Sequence, residues 1–134
     1  MLDPHGALIY TMVIVTGAEA RMGEAEMAII GDTIEHLPVF RGFDREALAA
    51  HLNDCAELLS GEDGLEKTLK AIKAALPERL RETAYAIACD LVASDGRATQ
   101  DELQILELIR HRLDIGRLTA AAIERGARAR FQKL

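Results

Sequence analysis

The chain has 134 residues, of which 49% are hydrophobic, yet it contains only three Phe, two Tyr and no Trp, and its 16 basic and 22 acidic residues leave a formal net charge of −6. That length fits one domain, 1–134, able to bury about two-thirds of the surface its unfolded form exposes, so no disulfide or metal is needed for folding. The negative field argues against phosphate backbones and anionic membrane surfaces as partners, and so against nucleic acid.

The apolar residues are mostly Ala, Leu and Ile, a composition of packed helices. The densest β-branched run, Met12 to Val15, lies inside a longer Ala- and Leu-bearing stretch and does not stand out as a strand. Cys55 and Cys89 fall within apolar helical patterns, where free Cys behaves as a small buried hydrophobe. Two cysteines fit a reducing cytosol, although spacing alone leaves a bridge open.

Asp3-Pro4 is a helix opening, since Asp accepts from free amides and Pro loses nothing at the first helical position. The first helix is expected to run to about Gly17. Its apolar run from Ala7 to Val15, followed by Ala18-Glu19-Ala20, imitates a signal peptide, but no Lys or Arg precedes it. It is also far short of the roughly 20 residues that cross a bilayer, so a buried helix and no membrane insertion are expected.

A second helix spans about Gly23 to His36 and stops at Leu37-Pro38, because the residue before Pro avoids the helical region. Asp44 caps a third, with Leu48, Leu52, Cys55 and Leu59 on one face, and Gly61 to Gly64 breaks it. The fourth carries Leu65, Leu69, Ile72 and Leu76 inward and Lys67, Lys70 and Lys73 outward, ending before Pro77. Pro77 opens a fifth that runs to about Ala93, and a sixth spans about Thr99 to Arg112. Asp114 is expected to cap a seventh, with Leu118, Ala121, Ala122 and Arg125 continuing the stripe and Arg125, Arg128, Arg130 and Lys133 complementing the helix dipole at its end.

The most informative feature is an internal repeat. Residues 18–27 align without gaps to residues 94–103 at a constant offset of 76, and the match continues through Ile29 with Ile105 and Leu37 with Leu113. Duplication of a helix-turn-helix unit, in about 4–60 and 77–134, is the economical explanation. Each turn starts on an acid and meets a Glu in the next helix: Glu19 with Glu26, and Asp95 with Glu102. Neighbouring carboxylates repel, and a hard cation such as Ca²⁺ or Mg²⁺ relieves them through oxygen ligands, so these four could form one acidic basin.

A second reading stands beside the first. Thr99-Gln100-Asp101-Glu102 is a capping box, Gly23 to Glu26 is its degenerate version, and Asp95-Gly96 is ordinary turn chemistry with Gly96 free to take positive φ. An EF-hand does not fit: Asp95, Gly96 and Glu102 occupy its fifth, sixth and twelfth positions, but Leu91 and Ala93 stand at the first and third. Any cation would bind weakly or draw on both units.

The run Asp90 to Arg97, Asp-Leu-Val-Ala-Ser-Asp-Gly-Arg, followed by a polar cap and Glu102, resembles the TerB tellurite-resistance family, as does the half-chain duplicate. The resemblance implies an all-α bundle of about seven helices in two pseudo-twofold-related halves, with an acidic surface for a divalent metal. It also implies a cytoplasmic, non-catalytic partner of membrane-associated proteins in tellurite and other stress responses; a related domain occurs in membrane-anchored co-chaperones. Residue by residue it points to Asp95 and Glu102, to Glu19 and Glu26, and more weakly to Asp90 as metal ligands. Ala18-Glu19-Ala20 departs from the expected Asp-Gly, which removes the cheap positive φ and predicts an asymmetric site.

An enzyme is not expected. The sequence shows no Ser-His-Asp or Cys-His arrangement and no phosphate-binding Gly loop, and His5, His36, His51 and His111 are scattered as surface or helix-end residues. The competing classes are therefore a cation-responsive binder and a pure protein-interaction scaffold whose acids only cap helices.

Overall fold

The computed structural model describes residues 1–17, 24–94, 96 and 98–134. Among them, seven α-helices and three 3-10 turns make up the regular structure, with no strand. The helices are α1 (Pro4–Gly17), α2 (Glu24–His36), α3 (Leu48–Ser60), α4 (Gly64–Ala75), α5 (Arg81–Ala93), α6 (Gln100–Arg112) and α7 (Arg117–Arg130). The chain is an all-α bundle, and none of these helices is long and apolar enough to cross a membrane.

Helix α1 is apolar on every side, which places it at the centre. It packs on α3, α4, α5 and α6, and Ala7, Leu8, Ile9 and Met12 are fully buried. Asp3 opens it by accepting from the Gly6 amide at 2.7 Å. Its two buried hydroxyls are satisfied within the helix, Thr11 donating to the Ala7 carbonyl and Thr16 to those of Met12 and Val13.

The offset found in the sequence reappears in the helix bounds: Glu24 and Gln100, the first residues of α2 and α6, are 76 apart, as are their last residues, His36 and Arg112. The packing is reciprocal as well. Helices α1 and α5 form a central pair, α2 lies on α5, and α6 lies on α1 and α5. Helices α3, α4 and α7 then wrap this frame, α3 and α4 against α1, and α7 against α5.

Three expectations need correction. Asp114 does not cap α7: it takes left-handed φ 57°, its carboxylate accepts from Lys73 Nζ at 2.8 Å, and Gly116 occupies the cap. The hydrogen bond from Lys73 holds its carboxyl below the usual range. Because α7 therefore begins at Arg117, its inward stripe is Ala120, Ile123 and Ala127, whereas Leu118 is 87% exposed and Ala121, Ala122 and Arg125 also face out.

The third correction concerns Pro77, which precedes a 3-10 turn, Glu78–Leu80, so that α5 begins only at Arg81. His5 and His51 are helix-end residues, in the first turns of α1 and α3, and both are half-buried. His5 donates through Nε2 to the Val39 carbonyl at 2.7 Å and stacks on Phe40 with centroids 5.4 Å apart. Phe43 meets His5 edge-on at 5.2 Å and lies 6.1 Å from His51. This cluster fastens the loop between α2 and α3 to the start of α1, a contact between segments too distant in sequence for any local pattern to reveal.

Candidate functional site

Thr99 ends the α5–α6 connection in an extended conformation and supplies the expected N-cap of α6. Its hydroxyl accepts from the Glu102 amide at 3.1 Å, and Glu102 Oε1 accepts from the Thr99 amide at 2.9 Å, a complete capping box. The Glu102 side chain is carried inward with this bond, and the residue is only 5% exposed. Gly96 has φ 77°, the positive value that the Asp-Gly turn requires.

The other acids are placed differently. Asp90, on the last turn of α5, forms an ion pair with Arg130 of α7, which neutralises it and counts against a role as metal ligand. Glu26 is half-buried in the first turn of α2. Glu19 and Asp95 lie outside the described residues. Among the described residues, no three His, Cys, Asp or Glu side chains are grouped to hold a metal ion.

The α5–α6 connection also borders a groove. Gly96 and Ala98 line its near end, Gln132 beyond α7 its far end, and the space between α5, α6 and α7 measures about 530 Å³. Val92, Leu106 and Ala127 form an apolar floor, Leu103 stands 47% exposed on one wall, and Phe131 is half-buried. Tyr85, 1% exposed, donates its hydroxyl to Glu124 Oε2 at 2.5 Å across the α5–α7 interface. Cys89, one turn beyond Tyr85, also lines the groove.

Both cysteines are free and buried, as their positions in apolar patterns predicted. Burial pushes both thiols up to about 12, helped at Cys89 by the negative charge of Glu124. Since the thiolate is the nucleophile, an aromatic disulfide reagent at pH 8 should leave both unmodified in the native chain and release two equivalents of chromophore on denaturation. Rapid native labelling would show that the groove floor opens.

Tyr85, Glu124 and the groove were not among the residues singled out in the sequence. Tyr85 and Glu124 are 39 residues apart in sequence, on different helices, and neither belongs to a motif. The only local signal was Tyr85 and Cys89 at helical i, i+4 spacing, which reads equally well as core.

Fold and groove together define an all-α bundle with a mixed apolar and charged cleft, lined by Glu107, Glu124 and Arg128 beside its apolar residues, at the edge of one helix-turn-helix unit. Compared with known proteins, the chain matches no family model, no curated protein and no solved structure.

Proposed function

We propose that the chain is a non-catalytic, TerB-like interaction module of the cytoplasm, serving tellurite and related stress responses beside membrane-associated partner proteins. Its working surface is the groove that Gly96 and Ala98 border. The observation that carries this reading is Leu103, an apolar side chain left 47% exposed over an apolar floor. A partly uncovered apolar cleft of this kind suits a partner's side chains. The acids that resemble family ligands have structural work here, Glu102 in its cap and Asp90 with Arg130.

In the source organism, proteins cross-linked to the native chain should be lost with Leu103→Asp and retained with Leu118→Asp, since Leu118 is exposed but outside the groove. An unchanged set of cross-linked proteins with Leu103→Asp would sink the interaction reading.

A divalent cation is the second reading: Glu102 lies in the first turn of α6, and hard cations take carboxylate oxygens. Asp95 and Glu102 would hold the ion, with Glu19 and Glu26 as the first turn's counterpart; Asp90 does not fit. The ion would bind weakly and link the turn to α6.

Thermal-shift titration with Ca²⁺, Mg²⁺, Mn²⁺ and Zn²⁺ separates the two readings. The interaction module gives no shift at millimolar metal, whereas stabilisation that disappears in Asp95→Asn with Glu102→Gln would establish the cation. Thr99→Ala should cost about 1 kcal/mol through the lost cap whichever holds.

A further inference from the structure

The chemistry of the groove narrows what it can receive. Glu124 is oriented from below by Tyr85, whose ring is fixed in the core and whose hydroxyl donates to Oε2. No cation is bonded to Glu124 among the described residues. Arg110 is close enough for its charge to be felt, but its guanidinium is held by Glu107 at 2.7 Å and by the Ile115 carbonyl at 3.3 Å. Arg128, one turn beyond Glu124, makes no ion pair among the described residues either. Among the described residues, the groove therefore presents an oriented carboxylate without a bonded counter-charge beside Val92, Leu103, Leu106 and Phe131.

We infer that the groove receives an amphipathic helix of a partner protein, with a Lys or Arg bonded to Glu124 and apolar side chains laid over Leu103, Leu106 and Phe131. This rests on the interaction-module reading and adds the partner's chemistry. Charge complementarity supports it at two ranges. Locally, a cation meets an acceptor that Tyr85 has already aligned, and a charge-assisted bond beside apolar walls is stronger than its counterpart in open water. At longer range, the net charge of −6 draws basic segments in and slows acidic ones. The groove is open to solvent and runs from the α5–α6 connection to the end of α7, as helix-in-groove recognition requires.

The test uses the full chain and a short synthetic peptide of Leu and Lys at helical spacing, with a Leu and Glu peptide of the same pattern as its counterpart. Binding is followed by fluorescence anisotropy and by amide shifts, at about 0.15 M salt, where screening acts beyond about 8 Å. The Lys peptide should bind, with shifts centred on Tyr85, Leu103, Glu124 and Phe131. Glu124→Gln should weaken it about tenfold, in line with loss of one charged hydrogen bond. Glu57→Gln removes the same charge from α3, outside the groove, and should change affinity less than about twofold, since exposed charges beyond a Debye length are screened. Arg128→Gln should not weaken binding.

Equal losses in Glu124→Gln and Glu57→Gln would reduce the effect to bulk charge and overturn the inference, as would shifts outside the groove or no binding of the Lys peptide at millimolar concentration. Occupation of the groove by the Glu peptide would overturn the cationic partner while leaving the interaction module standing. The module itself is tested separately, by the Leu103→Asp cross-linking and by the metal titration.

Discussion

Gly64→Ala will destabilise the chain by about 2 kcal/mol or more, against the usual gain from replacing glycine in a helix. Gly64 is the first residue of α4 and is buried where the α3–α4 turn folds back. A Cβ there would stand 2.1 Å from the Leu59 carbonyl oxygen and 2.8 Å from that of Leu58. Both are backbone atoms at the end of α3, so no side-chain rotation relieves the clash and the two helices must separate. The helix-propensity gain is at most about 1 kcal/mol and cannot compensate.

Gly61→Ala is the control, since its Cβ would meet the Leu58 carbonyl oxygen at an ordinary 3.6 Å and its φ of −81° suits any residue. Urea denaturation should show a lower midpoint for Gly64→Ala with an unchanged slope and little change for Gly61→Ala. Equal midpoints for the two variants would mean that the α3–α4 turn yields, and the close approach would lose its structural meaning.

Leu8→Ala should cost about 2–5 kcal/mol and lower the midpoint of thermal unfolding by about 10 °C. Leu8 is fully buried on α1, which is enclosed by α3, α4, α5 and α6, so the cavity is bounded by several helices and cannot collapse by moving one. Leu118→Ala removes the same atoms from an 87% exposed position and should stay within about 0.5 kcal/mol. A cost for Leu8→Ala as small as that for Leu118→Ala would contradict the central position of α1. The pair also separates the apolar residues that hold the bundle together from those left on its surface.

How far each helix was legible depended on how local its signals are. Asp3-Pro4 opened α1, Leu37-Pro38 closed α2, and Thr99 with Glu102 started α6, because caps and proline act within a turn of the residues that carry them. The all-round apolar character of α1 marked it as buried. The offset of 76 reappears in α2 and α6, since segments with matching apolar spacing form helices of the same length.

Facing is less local. The stripe of α7 was misread because Asp114 serves Lys73 on α4 instead of the helix start, which moves the cap to Gly116. His5 and His51 became partners of Phe40 and Phe43 only when the α2–α3 loop closed on α1.

By itself, then, the sequence determined the helical class, the ends of α1, α2 and α6, the cap of α6 and the burial of both cysteines, all of which follow from backbone preferences and apolar periodicity within one helix. Only the tertiary structure decided that Asp90 answers Arg130, that Tyr85 aligns Glu124, and that Leu103 remains uncovered above a groove. Those facts depend on which faces of α5, α6 and α7 meet. Side-chain spacing along one helix carries no information about the partner across it.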